Sequence, residues 1–132
     1  MLRIDKRIVE NIVLHARREL PIEACGYLAG NDEKVTSHYE MTNADGSATH
    51  FSFIVQEQFA VLKDVRSKGK KILAVYHSHP ATPARPSDED IALAHDPDMS
   101  YVIISFADNS ETIKSFRIAN GLVEHEVLMA ID

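Results

Sequence analysis

Apolar residues recur along this chain with periods that predict alternating helices and strands. Over residues 4–20 they fall every three or four positions, which predicts an amphipathic helix that ends before Pro21. A second helix is predicted from Val55 to Lys68, with Gly69 as its C-terminal cap. Both helices would place an apolar stripe against a sheet.

Strands are predicted where apolar and polar residues alternate, or where turn residues bound a short apolar run. These segments are residues 23–30, 35–41, 72–77, 101–106, 112–119 and 122–129. The last two flank Asn120-Gly121, which is typical of a two-residue hairpin turn. Ser87 begins a third, short helix that runs to about His95 and stops near Pro97. The order α-β-β-α-β-α-β-β-β predicts an α/β (α+β) fold, a mixed sheet with helices packed on it.

Length and composition narrow the class of protein. A chain of 132 residues, 45% hydrophobic and 26% charged, predicts one globular domain over residues 1–132. The net charge of −6 argues against nucleic acid or an anionic membrane as a partner. No segment reads as a secretory signal or a transmembrane span, so we expect a cytoplasmic protein. The single cysteine, Cys25, excludes an internal disulfide and any Cys-x-x-Cys zinc site, and it is expected to be a buried apolar residue.

The candidate chemistry lies at the end of the strand predicted at 72–77. His77 and His79 are two positions apart, so an extended backbone points both imidazoles to the same face. Asp90, from the next element, would complete a three-ligand set that suits a divalent metal such as zinc. Three protein ligands leave one position for water, which is the arrangement of a catalytic rather than a structural zinc site.

Several of these residues have a second interpretation. Ser87 and Asp90 also have the spacing of a capping box, in which Asp90 reaches back to the Ser87 backbone N–H. His50 and His95 are the candidates for lining the cleft or supplying a fourth ligand, and a fourth ligand would make the metal structural.

A zinc hydrolase also needs a general base. Glu23 is the candidate, in competition with Glu19 and Glu89, and spacing alone does not choose among the three.

The run from His77 to Asp90 resembles the signature of the JAMM (MPN+) metalloprotease family, which is His-x-His, ten residues and then Asp. Ser87 stands where that family has its Ser. Residues 21–26, Pro-Ile-Glu-Ala-Cys-Gly, resemble the segment that carries the family's catalytic Glu. The similarity extends from the first helix to the last hairpin.

This resemblance implies a compact MPN fold, akin to cytidine deaminases, with one zinc ion per chain held by His77, His79 and Asp90. It also implies Glu23 as general acid/base and Ser87 as the residue that stabilises the oxyanion. The chain looks most like the short, free-standing prokaryotic branch. Members of that branch hydrolyse a peptide or isopeptide bond at the C-terminus of small β-grasp proteins, ubiquitin-like or sulfur-carrier, and release an amino acid or a conjugated target. The alternatives are a non-catalytic scaffold of the same fold and a metal-stabilised binding module.

Overall fold

Eight strands and three helices make up the computed structural model, which describes residues 1–132. In chain order they are β1 (Leu2–Asp5), α1 (Lys6–Glu19), β2 (Cys25–Asn31), β3 (Lys34–Met41), α2 (Val55–Ser67), β4 (Lys71–His79), α3 (Asp88–Leu93), β5 (Ser100–Ser105), β6 (Thr112–Ala119), β7 (Leu122–Glu126) and β8 (Leu128–Ile131). The strands form one sheet in the order β7-β6-β5-β4-β2-β3-β1-β8. No helix is long and apolar enough to span a membrane.

The sheet is mixed, as predicted. β4 and β5 run parallel, as do β1 and its two neighbours, whereas the remaining pairs are antiparallel. β4 lies between β2 and β5, with Cys25 and Ile103 opposite His77. The end of β4 that carries the histidines is therefore held on both sides by backbone hydrogen bonds.

The first predicted helix is wrong at its start, because residues 2–5 form a strand. Leu2 and Ile4 are buried while Arg3 and Asp5 are partly exposed, which is the alternation of a half-buried strand. Ile4 happens to lie four residues before Ile8, and this spacing produced the error. The helix begins after Asp5, whose side chain accepts a hydrogen bond from the Arg7 backbone N–H at 2.9 Å.

The last predicted strand, 122–129, is wrong as one element, because it divides at Val127. β7 pairs with β6 through the predicted hairpin turn, in which Asn120 and Gly121 have φ of 53° and 76°. β8 pairs with β1 at the other edge of the sheet, and the Val127 carbonyl accepts a hydrogen bond from the Leu2 N–H. One residue separates the two edge strands, so the sheet curls until its edges meet.

The two faces of the sheet carry different helices. On one face, α1 packs over the main apolar core, where Tyr76 of β4 is fully buried and hydrogen-bonds His15 at 2.7 Å. On the other face, α2 packs through Val61 and Val65 against β2 and β4. Successive residues of β4 alternate between the faces, so His77 lies on the α2 face.

Candidate metal centre

His77 and His79 lie at the end of β4, and the two residues are 2% and 3% exposed. Their Nε2 atoms are 3.1 Å apart, so the predicted convergence of the two imidazoles is present in the structure. Ser78, between them, points to the opposite face and accepts a hydrogen bond from the Ala24 N–H at 2.8 Å. That bond fixes β4 against the segment that precedes β2.

Asp90 approaches the two imidazoles from the first turn of α3. Its Oδ2 lies 3.2 Å from Nε2 of His77 and 3.3 Å from Nε2 of His79. The same oxygen accepts a hydrogen bond from the Ser87 N–H, and the Ser87 hydroxyl accepts one from the Asp90 N–H. The capping box is present and aims the carboxylate at the histidines, whereas metal ligation by Asp90 stays a prediction.

The three candidate ligand atoms form a nearly equilateral triangle with sides of 3.1, 3.2 and 3.3 Å. Ligands about 2.0–2.1 Å from a tetrahedral zinc ion are about 3.3–3.4 Å from one another. The triad thus fits three corners of a zinc tetrahedron. No fourth histidine, cysteine or carboxylate belongs to the cluster.

Hydrogen bonds around the triad orient its ligands. Nδ1 of His79 is 2.8 Å from the Pro83 carbonyl oxygen, so it donates there and leaves Nε2 free to face Asp90. Burial would lower the pKa of His79, but the hydrogen bonds to Asp90 and Pro83 raise it. Burial would likewise raise the pKa of Asp90, yet hydrogen bonds from both histidines hold it well below its usual range. The carboxylate is therefore charged, as a ligand must be.

Glu23 is the carboxylate that the structure brings to this centre. It is 4% exposed and its Oε1 has no hydrogen-bond partner. Burial, followed by the nearby negative charge of Asp90, raises the pKa of Glu23 to about 7 in spite of the His79 charge. Of its two competitors, Glu19 faces His15 at 4.0 Å on the other side of the sheet. Glu89 lies in a cavity with His77 and Asp90 but is exposed on α3, whereas Glu23 is buried.

Asn43 is a buried residue of this region that sequence reasoning missed. Its side-chain Nδ2 is within hydrogen-bonding distance of the carbonyl oxygens of Glu23 (3.0 Å), His50 (3.0 Å) and Ser47 (3.3 Å). The Glu23 N–H in turn donates to the Ser47 carbonyl at 2.8 Å. Asn43 thus ties the loop after β3 to the backbone of Glu23. Its polar loop context, Asn-Ala-Asp-Gly-Ser, gave no signal of burial.

His50 and His95 lie apart from the triad, whereas Cys25 lies opposite His77 on the neighbouring strand. His50 interacts with Ser47 and Asp45, and His95 lines a separate cavity between α3 and the β6–β7 turn. Neither supplies a fourth ligand. Cys25 is fully buried as predicted, and burial raises the pKa of its thiol to about 12.

Two cavities meet at the triad. The first, which we call the apolar groove, has a volume of about 300 Å³ and includes His77 and Asp90. Its apolar walls are Phe51, Phe53, Val75, Leu93 and Tyr101. The second, which we call the Glu23 cleft, includes Glu23, His79 and Ser87. The three candidate ligands are thus reached by open space from two sides.

The chain is similar in sequence to a known family and to named relatives. Residues 5–119 match the model of the family described as prokaryotic homologs of the JAB domain. The chain is 37% identical over 135 residues to the CysO-cysteine peptidase of Mycobacterium tuberculosis, covering 100% of this chain and 92% of that protein. It is 33% identical over 94 residues to a probable TtuB-protein conjugate cleaving protease of Thermus thermophilus, covering 69% of this chain and 62% of that protein.

Solved structures show the same fold. A protein from Desulfitobacterium hafniense, determined in solution, superposes with a TM-score of 0.90 at 42% identity and covers 100% of this chain and 94% of its own. A JAB1/MPN domain protein from Archaeoglobus fulgidus superposes at 0.68 with 20% identity, covering 98% and 97%. The predicted MPN fold and the resemblance to JAMM proteins are confirmed. The chain belongs to the family of prokaryotic JAB-domain homologues.

Proposed function

We propose that this protein is a zinc-dependent hydrolase that cleaves a peptide or isopeptide bond at the C-terminus of a small ubiquitin-like or sulfur-carrier protein. The observation that carries the proposal is a triangle of three ligand atoms with the spacing of a zinc site, whose residues line two cavities. Full-length similarity to a CysO-cysteine peptidase supports the reaction class.

His77, His79 and Asp90 would hold the zinc ion, one per chain. Bound there, zinc would polarise the substrate carbonyl and lower the pKa of its water ligand toward about 7. The protein's own contribution is a rigid set of donors. β4 fixes the two imidazoles, and the capping box of α3 fixes the carboxylate.

Glu23 would move the protons of the reaction. A carboxyl group whose pKa is near 7 can accept a proton from the attacking water and then return it to the departing amine. The backbone bonds to Ser47 and Asn43 hold this residue beside the triad, and its unpartnered Oε1 is free to face the water. Such acid–base catalysis contributes about 10²–10⁴-fold in rate.

Ser87 would stabilise the developing oxyanion. Its Oγ accepts the Asp90 N–H as the cap of α3, and this leaves the hydroxyl proton free to donate. The residue is exposed in the Glu23 cleft, where a substrate carbonyl has access to it. One donor placed this way is worth about 3–4 kcal/mol of transition-state stabilisation.

The test of the proposal is cleavage of defined adducts by the zinc-loaded protein. The substrates are small β-grasp carrier proteins that bear a C-terminal cysteine or a lysine-linked peptide, and released products are identified by mass spectrometry. We expect wild-type protein to release one of the two adducts. Glu23→Gln should bind one equivalent of zinc yet lose at least about 100-fold in turnover.

His95→Ala is the matched control, because His95 lies outside the triad and both flanking cavities. It should retain both zinc and turnover. Undiminished turnover in Glu23→Gln would remove Glu23 from the mechanism. Zinc binding without cleavage of any adduct by wild-type protein would favour the metal-stabilised binding module.

A further inference from the structure

The apolar groove exposes aromatic and aliphatic side chains directly beside the candidate metal centre. Leu93, at the end of α3, is 61% exposed, and Phe51, Phe53 and Tyr101 are only partly buried. A cluster of exposed apolar groups is unfavourable in water and marks a binding surface. Here the cluster adjoins His77, whose ring is 4.8 Å from that of Phe51.

The groove is preformed. The Phe53 ring packs against Phe51 at 5.5 Å and against Tyr27 of β2 at 4.8 Å between centroids. Tyr27 in turn accepts a hydrogen bond from Gln58 of α2. The wall therefore rests on the sheet and on α2, and a ligand would enter it without reordering the chain.

The position of Glu23 decides which half of the substrate the groove receives. A scissile carbonyl carbon has three substituents, which are the oxygen, the leaving nitrogen and the acyl chain. The leaving nitrogen must lie near Glu23 to receive its proton, and the oxygen must lie near the metal position and Ser87. Glu23 and Ser87 both line the Glu23 cleft and neither lines the groove. The acyl chain is the substituent left to run past His77 into the groove.

We propose that the apolar groove binds an apolar side chain in the acyl half of the substrate, within a few residues of the scissile bond, and that Leu93 and Tyr101 determine this specificity. The inference rests on the proposed hydrolase function and deepens it. A volume of about 300 Å³ is at the lower end for ligand pockets. The groove thus suits a side chain of an extended tail and not a folded surface.

The experiment measures cleavage of synthetic tails of glycine and serine that release a C-terminal cysteine. One leucine is placed in turn at each of the four positions before the scissile bond, and a leucine-free tail is the reference. A further leucine-free tail releases leucine in place of cysteine. We expect leucine at one position of the acyl half to raise kcat/KM of the zinc-loaded wild-type protein at least about tenfold.

Leu93→Ser should bring the ratio between the best leucine tail and the leucine-free tail close to one. The matched control is Leu122→Ser, since Leu122 is an exposed leucine of β7, 73% exposed, that does not line the groove. It should keep the wild-type ratio. A wild-type ratio in Leu93→Ser, or a gain only when leucine is the released residue, would overturn the assignment.

A binding measurement tests the groove apart from turnover. Zinc-loaded Glu23→Gln is titrated with the same tails and followed by amide NMR. The best leucine tail should shift the signals of Phe51, Phe53 and Tyr101, and Leu93→Ser in the same background should abolish these shifts. If these shifts occur while wild-type protein cleaves neither the tails nor the carrier-protein adducts, the hydrolase proposal fails and the binding role of the groove stands. Absence of leucine-dependent shifts rejects the groove.

Discussion

Asp90 shows how one side chain can serve the helix that carries it and the site beside it. Its Oδ2 accepts the Ser87 N–H and lies within 3.3 Å of both imidazoles. A capping carboxylate is normally worth about 1 kcal/mol to its helix. Here the same bond also restricts the carboxylate to the direction that a metal would require.

Substitutions at Asp90 and Ser87 separate the two roles. We expect Asp90→Ala to abolish stoichiometric zinc binding, because two imidazoles alone do not make a three-ligand site. Ser87→Ala should keep one zinc per chain but lower the unfolding free energy by about 1 kcal/mol and turnover by about 100-fold. Metal analysis, thermal unfolding and cleavage assays on the same preparations measure the zinc content, the stability and the turnover of each variant. Full zinc occupancy in Asp90→Ala would remove that residue from the ligand set.

The histidine pair could be predicted from the sequence because strand geometry alone places residues i and i+2 on one face. The spacing of Ser87 and Asp90 likewise predicted both the cap and the ligand. Spacing left Glu23 in competition with Glu19 and Glu89, and burial beside the triad distinguishes it in the structure. The roles of all five site residues stay predictions until variants are measured.

At the scale of elements, the loop between β3 and α2 is part of the site although His50 is the only candidate residue that it carries. Asn43 holds this loop to Glu23, and the loop supplies Ala48 and Thr49 to the Glu23 cleft and Phe51 to the apolar groove. Sequence reasoning missed the role of this loop because it depends on the tertiary contacts of one buried side-chain amide, that of Asn43. Periodicity cannot show such contacts.

Asn43 gives a prediction at this scale. Asn43→Asp keeps a side-chain oxygen that can accept the Asp45 N–H, as the amide oxygen of Asn43 does, but it cannot donate to the Glu23 carbonyl. We expect it to lower the unfolding free energy by about 1–3 kcal/mol and to reduce kcat more than it changes KM, with zinc retained. Asn11→Asp, on the exposed face of α1, should change none of these quantities. Wild-type kcat in Asn43→Asp would show that the loop does not position Glu23.

The two errors in the predicted elements share one cause. Residues 2–5 and 128–131 are strands of four residues each, too short for a clear period, and they pair with each other across the whole length of the chain. Longer elements such as α2 and β4 agreed with their local patterns within two residues. Local patterns thus predict the centre of the sheet better than its edges.

At the scale of the whole molecule, a buried carboxylate joins three strands of the sheet. Glu126, 7% exposed, accepts hydrogen bonds from Ser100 of β5 and from Ser115 and Arg117 of β6. Burial would raise the pKa of Glu126, but these hydrogen bonds outweigh it and lower the pKa. A lowered pKa in the folded state means that the charged form stabilises the fold.

This network predicts an acid-sensitive part of the stability. Above the unfolded pKa of about 4.3, Glu126→Gln should be less stable than wild type by about 2 kcal/mol. The difference in unfolding free energy should shrink as the pH falls from the unfolded pKa through the lower pKa of the folded state. Over that range wild-type Glu126 becomes protonated and therefore neutral, as glutamine is. Urea unfolding of both proteins between pH 7 and about pH 3 measures it. Glu124→Gln, exposed on β7, is the control and should stay close to wild type throughout.

The extent of residues 1–132 as one domain, and the cytoplasmic location, stay predictions. A single domain is consistent with the structure, since all eight strands belong to one sheet.

The meeting of the two sheet edges at Val127 has a mechanical consequence. Glu126 ends the strand at one margin and Leu128 begins the strand at the other, with one residue, Val127, between them. A force that peels β8 away from β1 therefore pulls at once on β7, and the reverse holds as well. The two edge strands, β7 and β8, are thus linked through one residue. We therefore expect them to detach from the sheet together and neither to fray alone.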